Sequence, residues 1–123
     1  MEFSEPRSIY LQIADQIRER ILQGEWNPGE RIPSIRDFAV EIGVNPNTVT
    51  KSYQALMEQQ IIENQRGLGY FVAGNATDQI LAEMRLAFET EEIPKIARAM
   101  QLLNIGNKEL QKLLARNSSE DKT

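Results

Sequence analysis

The chain has 123 residues, 41% of them hydrophobic, enough for one small domain or a small domain with an appendage. With no Cys and no His, disulfides, thiolate or imidazole metal sites and the commonest general base are excluded. The formal net charge is −4, residues 1–72 holding seven Lys/Arg against ten Asp/Glu, so bulk attraction to an anionic polymer is poor and any such binding must rest on specific contacts.

The N-terminus, Met-Glu-Phe-Ser-Glu-Pro, lacks the basic start and apolar run of a signal peptide, and no apolar run approaches the ~20 residues of a membrane span. A cytoplasmic protein without membrane contact is expected. Ser8 can cap a first helix in which Ile9, Ile13, Ile17 and Ile21 recur every fourth residue, widened by Tyr10, Ala14 and Leu22 and stopped by Gly24. A Pro28-Gly29 turn follows. The lone Trp26 reads as a cover for the edge of a small core rather than a ligand-stacking group.

The stretch from Ser34 to Lys51 is the most informative. Ser34 with Asp37 has the form of a capping box, and Ile35, Phe38, Ala39 and Ile42 give a second helix one apolar face. Gly43 suits a left-handed helix end, with Val44 packing beneath the turn. Asn45 can cap a third helix and Pro46 can occupy its first position, where no amide hydrogen is needed. Val49, Tyr53, Leu56 and Met57 form its buried face; Tyr53 is expected as a core residue whose hydroxyl reaches the edge, where a phosphate is one partner open to it. The other face carries Asn47, Thr48, Thr50, Lys51 and Gln54, all hydrogen-bonding and none acidic. Two helices around a three-residue turn, the second with such a face, are the signature of a helix-turn-helix DNA reader. Between Ile42 and Met57 the only charged residue is Lys51.

Ile62–Asn64 and Tyr70–Val72 are β-prone runs around Gln65-Arg66-Gly67-Leu68-Gly69, a hairpin that would serve as a wing with Arg66 near its tip. Gly67-Leu68-Gly69 is no nucleotide-binding loop, because the longer glycine pattern and following helix are missing. After a linker at 73–76, Ile80, Leu81, Met84, Ala87 and Phe88 share a helix face ending near Glu91-Glu92. Pro94 can open a further helix with Ile96, Ala99, Met100 and Leu103 inside. Asn107 can cap a last one bearing Leu110, Leu113 and Leu114, and a mobile tail is expected from Asn117. The organisation is thus a DNA-binding domain over 1–74, an α-helical dimerisation region over 75–116 and a flexible tail over 117–123. The fold class is mainly α with a small β-hairpin.

Residues 9–72 resemble the GntR family of bacterial transcription regulators. The matching words are Ile9-Tyr10-Leu11-Gln12-Ile13-Ala14, Pro28-Gly29-Glu30-Arg31-Ile32-Pro33-Ser34, Arg36-Asp37-Phe38-Ala39, Gly43-Val44-Asn45-Pro46-Asn47-Thr48-Val49 and Arg66-Gly67-Leu68-Gly69-Tyr70-Phe71-Val72. The short helical remainder resembles the YtrA-type branch. The resemblance implies a winged helix-turn-helix homodimer that represses transcription at an inverted-repeat operator in double-stranded DNA, with no cofactor and no metal, and an effector that stays unknown. It implies DNA contacts from Arg36, Asn45, Asn47, Thr48, Thr50, Lys51, Arg66 and Gly67. Pro46, Thr50 and Leu68 stand where many relatives carry basic residues.

Physical chemistry supports roles for several of these. Asn47 near the start of a groove-lying helix can pair with adenine through two hydrogen bonds. Thr48 and Thr50 suit phosphate oxygens or a thymine methyl, and Lys51 suits the backbone. Arg36 can fork onto guanine or clamp a phosphate; Arg66 can enter a narrow minor groove. A dimer would use Ile80, Met84, Phe88, Ile96, Met100 and Leu103, apolar positions that one copy can hardly cover. The competing reading is a winged-helix protein–protein module without specific DNA readout. An enzyme is not expected, since Glu91 and Glu92 are adjacent and would diverge on a helix.

Overall fold

The computed structural model describes residues 7–121, and these divide into two compact units that meet between Glu83 and Met84.

In the first unit, α1 (Ile9–Leu22) buries Ile13, Ile17 and Ile21 of its every-fourth-residue stripe together with Ala14, while Ile9, at its first position, stays exposed. Ser8 occupies the N-cap position without a side-chain cap bond; its carbonyl instead accepts from the Leu11 and Gln12 amides. The next helix, α2 (Ile35–Ile42), starts where the Ser34 hydroxyl accepts the Asp37 amide at 3.1 Å. It ends at Gly43, whose φ of +71° lets the Gly43 and Val44 amides return to the Ala39 carbonyl. A three-residue turn later, α3 (Pro46–Glu58) is capped by Asn45, whose side-chain oxygen accepts the Asn47 amide at 2.8 Å.

The buried face of α3 is Val49, Ser52, Tyr53 and Leu56, with Met57 only half-buried. Ser52 was not expected there. Its hydroxyl is satisfied by the Tyr10 carbonyl at 2.6 Å and lies 3.1 Å from the Thr48 carbonyl, so a polar side chain ties α3 to α1 inside the core. Tyr53 is the core residue expected, but its hydroxyl does not reach outward. Its hydroxyl turns inward and donates to the Pro33 carbonyl at 2.7 Å, its side chain packed between Phe38 and Tyr70, so no phosphate is within its reach.

The hairpin pairs β1 (Ile62–Gln65) with β2 (Gly69–Val72), Gln65 opposite Gly69 and Ile62 opposite Val72. A third extended segment lies on the far side of β2. The Gly29 amide donates to the Val72 carbonyl, the Val72 amide to Glu30 and the Ile32 amide to Tyr70, all near 2.9 Å, which places Arg31 opposite Phe71. The core closes over Ile32, Phe38, Val49, Leu56, Ile61 and Val72. Trp26 covers its edge as expected, half-buried and edge-on to Phe38, with the Arg20 guanidinium 4.3 Å above its ring.

The first two turns of α4 (Ala76–Ala87) belong to this core, since Ala76 and Ile80 are fully buried. Burial of Ile80 removes it from any surface offered to a second copy. Arg18 fastens the same helix: it donates to the Gln59 side chain at 2.7 Å and pairs with Glu83, whose carboxyl this bond holds below its ordinary range.

In the second unit the helical path does not break at Glu91-Glu92. It widens into a π-helical turn over Phe88–Glu92, in which the Ile93 amide reaches back five residues to the Phe88 carbonyl, and continues as α5 (Ile93–Leu103). The reason is Pro94, whose ring would collide with the carbonyl four residues earlier and which has no amide to donate; one wide turn absorbs both. Asn104, left-handed at φ +57°, ends α5. The last helix, α6 (Asn107–Asp121), runs through Asn117, where an irregular tail was expected. Residues 122 and 123 lie outside the described part.

Candidate nucleic-acid interface

Every side chain expected at the interface lies on α2, on α3 or its N-cap Asn45, or on the hairpin loop. Arg36 stands in the first turn of α2, exposed, with no carboxylate in ion-pair range among the described residues. Its guanidinium is therefore not taken up by an ion pair within the described fold. Asn47 is exposed at the second position of α3; its backbone amide is engaged, and its side-chain amide has no partner among the described residues, which leaves it for a base edge. Asn45 spends its side-chain oxygen on the cap, which leaves its amide hydrogens. The Thr50 hydroxyl donates to the Pro46 carbonyl at 3.0 Å, so what Thr50 presents outward is chiefly its methyl group and remaining lone-pair capacity. Thr48 is half-buried, and Lys51 is exposed without an acidic partner among the described residues.

The wing tip is a turn closed by the Leu68 amide on the Gln65 carbonyl at 2.8 Å, with Gly67 at φ +77°. Arg66 and Leu68 are both exposed there. The unexpected extended segment 29–32 braces this hairpin from behind. Its sequence, Glu30-Arg31-Ile32 between Gly29 and Pro33, shows no apolar–polar alternation and is too short to be read as a strand.

Pairing leaves the net charge unchanged, but it decides which cations are free and where they stand. Of the seven cations in residues 1–72, Arg7, Arg18 and Arg20 are held by Asp15, Glu83, and Glu25 with Glu41. The bond to Glu25 raises Arg20 above its ordinary value and lowers Glu25 below its own. The other four, Arg31, Arg36, Lys51 and Arg66, are exposed and have no acidic partner among the described residues. The acidic residues are thus partly spent inside the fold, while the helix-turn-helix and wing keep unneutralised cations for phosphate.

A helix-turn-helix braced by a β-wing, with a free Asn at the head of its second helix, defines a winged-helix DNA-binding protein. Residues 9–72 match the bacterial regulatory proteins of the gntR family, and the chain belongs to that family. It is 39% identical over 95 residues to the HTH-type transcriptional repressor YtrA of Bacillus subtilis, covering 75% of this chain and 72% of that one. The crystal structure of a GntR-family transcriptional regulator from Bacteroides thetaiotaomicron matches with a TM-score of 0.71 at 39% identity, over 93% of this chain and 99% of that one. The DNA-binding domain of AraR, solved in complex with operator ORR3, matches at 28% identity and a TM-score of 0.51, over 59% of this chain and 95% of that one. The chain is therefore a helix-turn-helix transcriptional regulator that binds DNA, and not an enzyme.

Proposed function

We propose that the protein is a homodimeric repressor that reads an inverted-repeat operator in cytoplasmic DNA. The observation that carries the dimer is the second unit. α5 has no buried residue although its apolar positions are regularly spaced, and Phe88, Ile93, Ile96 and Leu103 stay between 38% and 67% exposed. Apolar faces of that kind call for a second copy. Met84, Phe88, Ile96, Met100 and Leu103 are the proposed contacts, and residues 84–116 the proposed dimerisation region.

Two-fold symmetry would set two copies of α3 about 34–36 Å apart, one turn of DNA, so the operator should be an inverted repeat. In each half-site Asn47 reads a base edge, Arg36 a base or phosphate, and Thr48, Thr50, Lys51 and Asn45 fix the register. Arg66 and Gly67 bring the wing to the minor groove. The repressor role is supported by the similarity to YtrA, itself named as a repressor.

The test is selection of bound duplexes from a random DNA pool at near-physiological salt, with light scattering on the same protein. Enrichment of an inverted repeat by a dimer is the expected result. A folded dimer that enriches no duplex would overturn the operator reading and favour a protein partner for the same face.

A further inference from the structure

We infer that Arg31, on the extended segment behind the wing, is a further phosphate-contacting residue of the DNA-binding surface. The inference rests on the DNA-binding reading above and adds a residue to it from a different observation.

Arg31 is fixed by its backbone rather than by an ion pair. The bonds of Glu30 and Ile32 to β2 set it opposite Phe71, and its guanidinium runs from there toward the wing loop until it lies against Gly69. A Cβ on Gly69 would stand 2.8 Å from Arg31 Nε and 3.3 Å from Cζ and Nη2. Gly69 is therefore bare for two reasons, its φ of +120° and the guanidinium laid over it. Gly69 pairs with Gln65, the neighbour of Arg66, so the hairpin register brings Arg31 and Arg66 to the same end of the wing.

Among the described residues no carboxylate neutralises Arg31. The adjacent Glu30 carboxylate is taken up by the Asn27 amide at 2.6 Å. Glu63 shares the row Glu63–Phe71–Arg31, but it stands two strand spacings away, roughly 10 Å, with Phe71 between. An exposed guanidinium with a fixed stem and no carboxylate is pre-organised for an outside anion. On a DNA-binding wing whose tip otherwise offers Arg66 and an apolar Leu68, that anion is a backbone phosphate beside the groove the wing enters.

The test compares the parent with Arg31→Met, which keeps the aliphatic stem on Gly69, and Arg31→Lys, which keeps the charge. Affinity is measured for the selected operator and an unrelated duplex across a salt series. Arg31→Met should lose about fivefold in affinity per protomer for both duplexes near 0.15 M salt. Its salt slope should fall by about 0.9 per protomer, one phosphate contact, with the melting temperature unchanged. Arg31→Lys should keep the parent's slope. An Arg31→Met protein with the parent's slope overturns the inference and leaves the DNA-binding reading standing. A folded parent that binds neither duplex overturns both.

Discussion

Tyr53→Phe isolates the inward hydrogen bond that organises the centre of the first unit. The phenol is 1% exposed, its hydroxyl 2.7 Å from the Pro33 carbonyl, its ring 6.3 Å from Phe38 and 4.9 Å edge-on from Tyr70. Phenylalanine preserves both ring contacts and removes one oxygen, so no cavity term of consequence arises. What is lost is one net hydrogen bond, about 1 kcal/mol, plus part of the penalty for leaving the Pro33 carbonyl without that donor; since Pro33 is only half-buried, water recovers some of it. The expected cost is about 1–2 kcal/mol in urea unfolding, or roughly 4–16 °C in melting temperature for a unit of this size. Operator affinity of the folded variant should not change. Alkaline titration adds a check. Burial raises the phenol above its ordinary value of 10.0, so the folded chain holds this proton after the unfolded chain has begun to release it. Its contribution is full below that value and is lost as the pH rises beyond it, a loss Tyr53→Phe should not show. Reduced operator affinity with unchanged stability would refute the reasoning and return the hydroxyl to a phosphate.

Asn47→Ala should weaken operator binding by about 1–3 kcal/mol and relax selectivity at one base pair, with an unchanged melting curve; equal affinity for the parent's operator would remove Asn47 from the reading surface. Gln60, left-handed at φ +63° just past α3, should gain about 0.5–1 kcal/mol in urea unfolding on replacement by Gly, because relief of the left-handed penalty outweighs the added freedom of the unfolded chain. Glu83→Gln should lower the melting temperature slightly at pH 7, about a few tenths of a kcal/mol, because the carboxylate is half exposed and screened by water and Arg18 keeps its bond to Gln59. Arg18 depresses the folded-state value of Glu83 below 4.5, so its contribution is present above that value and lost as pH falls through the folded one; the gap between parent and variant should narrow in acid. Ile96→Asp should give a monomer in light scattering while the first unit keeps its melting transition.

Local rules carried the reading of the DNA-binding half. Ser34, Gly43, Asn45 and Pro46 act through bonds to residues two to five positions away, so their geometry is written in the adjacent sequence, and the apolar period of α1 and α3 picks out nearly all of their buried positions. What escaped depends on distant partners. Ser52 is polar and looks like a surface position until the Tyr10 carbonyl, 42 residues earlier, is brought beneath it. The segment at Arg31 is extended only because β2 supplies its hydrogen bonds, and Tyr53 turns inward only because Pro33 arrives from another loop. At Pro94 the local rule held, since α5 starts at Ile93 with Pro94 in its first turn; what it missed is that one wide turn, and not a break, precedes that start. The interface positions divide by the same logic. Their type and spacing are legible, but whether each is free is not, since freedom means the absence of a partner. Asn47, Arg36, Lys51 and Arg66 become credible contacts once the fold is seen to have left them unpaired, and Thr50 less so because the carbonyl four residues back already holds its hydroxyl. Ile80 follows the same rule, an apolar residue that serves either a core or a partner, and the first unit's core already uses it.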